Sequence, residues 1–223
     1  MDALILAAGF GSRMGDLTEK IPKPLLNVNQ KPLITYALEL IESLSLDNIY
    51  VNTHYQADIL RKFLKQNYPH IKISHEVNIL GTGGGIKKIQ NQDILILNTD
   101  NLWQPEFNLE IKRGISLFQK DNNIENLLLI NSKSNFLDLD VSSNSVINFP
   151  PLKKNTQFQG CHLLRHSVLN SYPEIFDIAK YWKDCSQRKK LYGFETSIFN
   201  PHIGTRELYL KYQKYIPYIM HGY

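Results

Sequence analysis

Cysteine is scarce in this 223-residue chain: there are two, Cys161 and Cys185, and neither sits in a Cys-x-x-Cys pair or a His-spaced set. That argues against a zinc site, which draws its ligands from such spacings. Two isolated thiols fit a reducing cytoplasm. Long apolar runs are also missing, and none approaches the ~20 residues that a membrane span requires. The apolar stretch Met1–Gly9 is too short for a signal segment with flanks and carries Asp2 where a signal has a base. The expected location is therefore the cytoplasm, with no membrane partner. Charge of one sign is not concentrated either. Lys and Arg total 25 against 21 Asp and Glu, a net charge of +4, and the closest clusters are Arg188-Lys189-Lys190, Lys153-Lys154 and Lys87-Lys88. A nucleic-acid protein usually shows a basic stripe interleaved with aromatics. The balance here points to a solvated surface with a site for small anions, and to no nucleic-acid partner. Neither an internal repeat nor a low-complexity linker divides the sequence. At 43% hydrophobic residues, positions 1–223 read as one domain able to bury a sizeable core.

What is present is an alternation of strand and helix patterns. Ala3–Ala8 is a continuous apolar run ending in glycine, as expected of a strand buried on both faces. Lys31–Leu46 reads as a helix, with Pro32 in its first turn and apolar residues three and four apart. The order continues with strand Asn48–Thr53, helix Gln56–Gln66 and strand Ile71–His75. A glycine loop at Gly81–Gly85 then leads into a short helix near Ile86–Ile89, followed by strand Asp93–Asn98, helix Leu109–Gln119 and strand Asn126–Ile130. Beyond that point the pattern loosens: a hairpin over Phe136–Val141 and Ser145–Phe149, a strand at Gln157–Leu164, and helices at Pro173–Cys185 and Thr205–Tyr215. The expected fold class is α/β: a single Rossmann-like, three-layer α/β/α domain around a mixed, mostly parallel sheet.

The first strand runs into Leu6-Ala7-Ala8-Gly9-Phe10-Gly11-Ser12-Arg13-Met14-Gly15, and Pro22-Lys23-Pro24-Leu25 follows. Glycines at a strand end let the backbone turn tightly, so that its N–H groups can cradle phosphates. The spacing is GxGxxxG rather than GxGxxG, and no acid closes the next strand at Val51-Asn52-Thr53, which disfavours a dinucleotide site. A Walker loop is excluded because no Gly-Lys-Ser/Thr occurs. The remaining reading uses two cations, Arg13 and Lys23, to neutralise the β- and γ-phosphates of a nucleoside triphosphate and the charge growing on leaving pyrophosphate. Lys23, between two prolines, is held stiffly.

The stretch LAAGFGSRMGDLTEKIPKPLLNVNQKPLI, Leu6 to Ile34, resembles the signature of the sugar-1-phosphate nucleotidyltransferases, or NDP-sugar pyrophosphorylases. The resemblance implies a reaction in which a sugar phosphate oxygen attacks the α-phosphorus of an NTP and pyrophosphate leaves. It also implies that Arg13 and Lys23 act on the phosphates while Ala7, Ala8, Gly9 and Gly11 hold the nucleotide. No covalent enzyme intermediate is required, so positioning and charge carry the rate. The partners expected are an NTP and a sugar 1-phosphate. Residues 1–130 would form a nucleotide-binding half and 131–223 a sugar-binding half.

Three further segments bear on chemistry. Glu76–Gly85, EVNILGTGGG, follows a strand end, and its small residues would let a flat base lie against backbone, although a flexible turn is the alternative. It resembles the family's base loop, which implies that Glu76 and Gly81 face the base, with Thr82 beside them in nucleotide binding. Asp100, in Asn98-Thr99-Asp100-Asn101, follows a buried strand and could hold Mg²⁺ between phosphates or simply cap a turn. The resemblance implies the metal role, with Mn²⁺ as a possible replacement. Trp103 fits core packing and a sugar-side wall equally. Gly160, in QFQGCHLL, matches a family glycine beside the sugar, and a strand bulge is the alternative.

Two departures stand out. Asn148-Phe149-Pro150 occupies the place of the family's Glu-Lys-Pro element. His202, in His-Ile-Gly-Thr, stands where the family's second metal aspartate is expected, and imidazole is a poor match for Mg²⁺. Its place in the motif makes His202 a candidate ligand, with a surface or capped side chain as the alternative, and because some bacterial members carry His-Val-Gly-Thr there the departure does not imply inactivity. The length leaves no room for the C-terminal β-helix of acetyltransferase-fused members. LGTGGGI, NTDNLW and KKLYG…HIGT most resemble the short N-acetylmuramate-1-phosphate uridylyltransferases, which implies UTP and N-acetylmuramate 1-phosphate as substrates in cell-wall recycling. Mannose-1-phosphate guanylyltransferase and phosphocholine cytidylyltransferase are the neighbouring alternatives, and a nucleotide-sugar-binding subunit that has lost catalysis is the alternative of another class.

Overall fold

In the computed structural model, the backbone of residues 1–219 and the side chains through Gln213 are described. The first apolar run forms β1 (Asp2–Leu6). Six further strands join it in one sheet: β2 (Ile49–Thr53), β3 (Lys72–His75), β4 (Ile94–Asn98), β5 (Asn126–Asn131), β6 (Gln157–Leu164) and β7 (Leu191–Glu195). Their order across the seven-stranded sheet is β7-β5-β6-β4-β1-β2-β3. β6 runs antiparallel to both its neighbours, and every other neighbouring pair is parallel. The mixed, mostly parallel sheet expected from the sequence is thus present.

Side chains alternate across a strand, so β1 feeds both faces of the sheet. Ala3 and Ile5 pack into a core with α1 (Leu33–Glu42), α2 (Ala57–Asn67) and α4 (Phe107–Lys120), built around Ile34, Leu60 and Phe107. Leu4 faces the other way, toward α3 (Gly81–Ile89) and α5 (Ile178–Gln187), against Ile86, Ile178 and Tyr181. These are the three layers. A third apolar cluster, with Met14, Leu26, Leu33, Leu102, Ile203 and Tyr209, ties the phosphate segment to α6 (Arg206–Ile219). Cys161 and Cys185 are both buried and free, and they lie on opposite faces of the sheet. Among the described residues, no helix is long and apolar enough to cross a membrane.

Four expectations change. Helix α1 begins at Leu33, not Lys31, because Asn29 and Gln30 take positive φ and turn Lys31–Pro32 back onto Asn27–Val28 as a two-residue hairpin. The glycine cluster Gly81–Gly85 is not a loop before a helix but the first turns of α3 itself. Helix α5 starts at Ile178 because the Asp177 carboxylate accepts from the Ala179 N–H at 2.8 Å and caps it. Strand β7 was not expected at all. The halves 1–130 and 131–223 also share one sheet, since β6 inserts between β4 and β5.

His162, on β6, shows how closed this core is. It is 2% exposed, its Nδ1 accepts from Asn126 Nδ2 at 3.0 Å, and Phe158 and Trp182 stand edge-on to its ring. Burial pushes the imidazole down to about 3. Below an unfolded value of about 6.5 the unfolded chain binds a proton here that the native chain refuses, so native stability falls as the pH drops. Replacing His162 with Gln is expected to flatten urea-measured stability between pH 6 and pH 4 by up to about 1.4 kcal/mol per pH unit. An identical slope in the variant would show that His162 is protonated in the native state.

Candidate active site

The carboxyl ends of β1 to β4 surround a cleft of about 400 Å³. The phosphate turn supplies Ala7, Ala8, Gly9 and Gly11 to its lining, and Arg13 and Lys23 join them. Gly11 is left-handed, with φ +66°, and a Cβ there would stand 3.1 Å from both Lys23 Cβ and Thr18 Cγ2. Glycine is therefore favoured by the left-handed backbone first and by the tight space second. The segment after it, Ser12–Thr18, is a 3-10 stretch pinned by the buried Met14 and by Thr18 Oγ1, which donates to Gly11 O and Gly15 O. Arg13 projects from this anchored stretch, is exposed, and makes no ion pair among the described residues.

Lys23 is placed differently. Its Nζ donates to Asp100 Oδ2 at 2.8 Å, and the pair is largely buried, at 12% and 17% side-chain exposure. His202 Nε2 lies 3.0 Å from the same oxygen. Burial alone would raise the Asp100 carboxyl, but the hydrogen bond from His202 and the positive charge of Lys23 outweigh it and hold the group well below the usual carboxylate range. Asp100 itself is fixed by the sheet: Thr99 Oγ1 donates to Leu6 O at 2.9 Å, and the Ile203 N–H donates to Asp100 O. His202 folds back onto Asp100 because Gly204 leaves it room, since a Cβ on Gly204 would stand 2.2 Å from His202 Cε1. Its Nε2 is turned to the carboxylate of Asp100, so the two residues expected at a metal stand side by side.

Glu76, Gly81 and Thr82 also line the cleft. Glu76, however, is 1% exposed: its Oε1 accepts from Asn52 Nδ2 at 2.8 Å and its Oε2 from the Leu80 N–H at 3.0 Å. The side chain expected to face a base is thus buried in a contact between strands and helix. The glycines of α3 serve a close approach to the segment before α5. Phe176 O accepts the N–H groups of Gly83 and Gly84 at 3.1 and 3.2 Å, and a Cβ on Gly84 would stand 2.1 Å from Glu174 O. Gly81 and Thr82, just ahead of that contact, are in the cleft lining. Gly160 is not in the cleft lining. It takes φ +72° at a register shift in β6, where a Cβ would stand 2.4 Å from Asn101 Oδ1, so the bulge reading describes its local structure. Trp103 is 3% exposed, packs on Phe107 and donates to Asn98 O, which places it in the core.

Sequence reasoning missed Asn52. It is 3% exposed and accepts from the Ala7 N–H at 2.7 Å. The available signal was a polar residue within an otherwise buried strand end, Val51-Asn52-Thr53.

A family model described as nucleotidyl transferase matches residues 2–134. The chain belongs to the nucleotidyl transferase family. Among curated proteins it is 32% identical over 186 residues to the bifunctional protein GlmU of Methanococcus aeolicus, an alignment covering 80% of this chain and 42% of that protein. The chain therefore spans less than half the length of that relative. Two shorter relatives align over nearly their whole length. The D-glycero-alpha-D-manno-heptose 1-phosphate guanylyltransferase of Aneurinibacillus thermoaerophilus is 24% identical, covering 96% of this chain and 97% of that one. The N-acetylmuramate alpha-1-phosphate uridylyltransferase of Caulobacter vibrioides is 26% identical, covering 91% of each. Among solved structures, HddC from Yersinia pseudotuberculosis superposes with a TM-score of 0.77 at 22% identity, covering 96% of this chain and 99% of that chain, a likeness of fold. The family resemblance read from Leu6–Ile34 therefore holds.

The packing of α3 makes a direct prediction. Gly84→Ala gains helix propensity but must push α3 off Glu174 O, and overpacking of this kind typically costs about 1–3 kcal/mol. A urea midpoint at or above that of the parent chain would show that α3 does not dock on segment 174–176.

Proposed function

We propose that this protein transfers a nucleoside monophosphate from an NTP to a sugar 1-phosphate, giving an NDP-sugar and pyrophosphate. The observation that carries this reading is the meeting of a glycine turn, Arg13, Lys23 and Asp100 in one cleft, drawn from the ends of β1 and β4. The turn offers N–H groups to the triphosphate. Arg13 is free to close on its outer phosphates, and Lys23 sits beside Asp100, where it can accompany the charge that develops on leaving pyrophosphate. The sugar phosphate oxygen attacks the α-phosphorus, the bond to the β-phosphate oxygen breaks, and no enzyme bond is formed.

Asp100 is the residue that would hold Mg²⁺, with Mn²⁺ as a substitute. The two side-chain contacts on this carboxylate both fall on Oδ2, from Lys23 and His202. No group of three or more His, Cys, Asp or Glu that could hold a metal gathers among the described residues. One carboxylate together with substrate phosphates is a common way to hold Mg²⁺, so the donor set fits. When bound, such an ion supplies positive charge to the phosphate oxygens. His202, through its bond to Asp100, orients the carboxylate.

For the donor and acceptor we propose UTP and N-acetylmuramate 1-phosphate, in the cytoplasm. The support is the full-length similarity to the Caulobacter uridylyltransferase. A guanylyl donor with another sugar 1-phosphate is the second reading, favoured by equally complete similarity to the heptose-phosphate enzyme. Pyrophosphate release measured for UTP, GTP, CTP and dTTP against a panel of sugar phosphates and phosphocholine, with Mg²⁺ or Mn²⁺, decides between them. Tight NTP binding without turnover in any pairing would leave a binding subunit instead.

Lys23→Ala and Asp100→Ala are each expected to lower kcat/KM by about 100-fold or more, the scale of one electrostatic contact in a transition state. Near-normal rates in both would sink the mechanism. His202→Gln is expected to slow the reaction while leaving the ratio of Mg²⁺-supported to Mn²⁺-supported rates unchanged. A changed ratio would return His202 to metal coordination.

A further inference from the structure

In the cleft wall itself, where Ala7, Asn52 and Glu76 are lining residues, four groups form a single hydrogen-bonded line. The Ala7 N–H donates to Asn52 Oδ1 at 2.7 Å, Asn52 Nδ2 donates to Glu76 Oε1 at 2.8 Å, and the Leu80 N–H donates to Glu76 Oε2 at 3.0 Å. Both ends of the line are backbone N–H groups, which can only donate. That fixes every bond between them. Asn52 must turn its oxygen to Ala7, so its NH₂ faces Glu76, and both carboxylate oxygens of Glu76 must accept. Unlike most buried amides, this one has no second orientation that keeps its partners. The line is also buried and closely packed: Asn52 is 3% exposed and Glu76 1%, and a Cβ on Gly85 would stand 2.9 Å from Glu76 Oε1 and 3.0 Å from Asn52 Nδ2.

Its two ends matter for the cleft. Ala7 opens the phosphate turn. Leu80 is the residue before α3, has no side-chain cap of its own, and directly precedes Gly81 and Thr82 in the cleft lining. We propose that Asn52 and Glu76 are positioning residues that lock the phosphate turn to the start of α3, so that the two walls of the cleft hold one relative placement. Glu76 then acts on a nucleotide through the backbone it holds as well as from its place in the cleft lining. A carboxylate just ahead of a helix N-terminus is also favourably placed against the helix dipole.

The polarity argument supplies the test. Glu76→Gln keeps size and shape but replaces one acceptor with a donor. Either the new amide faces the Leu80 N–H donor to donor, or Asn52 must flip and present its NH₂ to the Ala7 N–H. Asn52→Asp alone sets two carboxylates against each other. The double variant restores every bond with the charge moved by one place: the new carboxylate at position 52 accepts from Ala7 and from the new amide at position 76, whose oxygen accepts from Leu80. NMR amide exchange at Ala7 and Leu80 reads the line without substrate. Each single variant is expected to speed exchange at both amides by at least about tenfold, and the double variant to return both to within about threefold of the parent chain.

The turnover arm rests on the proposed nucleotidyl transfer. There Glu76→Gln is expected to lower kcat/KM by about 10- to 100-fold, the scale of a misplaced site, with recovery in the double variant. Exchange that changes at only one of the two amides, or a double variant no better than the worse single, overturns the proposal. Exchange that follows the expected pattern in a protein with no turnover for any NTP and sugar phosphate leaves the line standing and removes the assigned reaction.

Discussion

The parallel pairing of β1 between β2 and β4 is the constraint on which the rest of the structure depends. Parallel neighbours end on the same side, so the chain leaves β1, β2 and β4 at one edge of the sheet. The register sets Leu6 opposite Asn98, which brings the phosphate turn and the Asp100 segment out side by side. Strand order reverses here: the chain moves from β1 to β2 and β3 on one side and returns to β4 on the other. Loops that leave in opposite directions open a crevice at such a point. Three hydrogen bonds then tighten its rim. Thr99 reaches Leu6, Asn52 reaches Ala7, and Leu80 reaches Glu76, so backbone with few side chains of its own is held by polar residues at neighbouring strand ends.

Within that frame the two cations are in unequal states. Lys23 is already bonded to Asp100, whereas the Arg13 side chain stands exposed on a segment anchored by its neighbour Met14 and by Thr18. A carboxylate this buried needs compensation, and Asp100 draws it from Lys23 and from His202. The Lys23 ammonium carries three N–H donors, so it can hold Asp100 and still offer a donor to a polyanion in the cleft. Under the proposed reaction Lys23 therefore links the carboxylate to the phosphates without leaving its place, which suits positioning-dominated phosphoryl chemistry.

Much of this was legible in the sequence, and the reasons differ from element to element. β1 and β4 were readable because strands buried on both faces must be apolar throughout. Arg13 and Lys23 could be picked out as candidates because they follow a glycine turn in a recognisable signature, and Asp100 because it is a carboxylate just past a buried strand. The opening turns of α3 were misread because glycine weakens a helix locally, while the need for Gly81–Gly85 comes from Phe176 and Glu174, some ninety residues away. β7 escaped notice because Leu191–Glu195 contains Gly193, a poor strand residue. Its place is set by β5, where a Cβ on Gly193 would stand 2.6 Å from Ile130 Cδ1. Asn52 and Glu76 could each be seen as polar at a strand end, but a partnership across 24 positions leaves no mark in spacing.

The second half of the chain is also more than a lid on the first. β6 enters between β4 and β5 against the run of the sheet, and Gly160 bulges there to admit Asn101, the neighbour of Asp100. On the other side Asn101 bridges to His202, and the Ile203 N–H holds Asp100 O. The loop after β4 is therefore clamped between β6 and the segment leading into α6, both of them from beyond residue 131. An Asp100 backbone held on two sides has little freedom to follow a departing charge, so any movement during a reaction falls to the long side chains of Lys23 and Arg13. The division is then between a fixed carboxylate backbone and long cationic side chains, with His202 Nε2 placed to donate a hydrogen bond to Asp100 Oδ2.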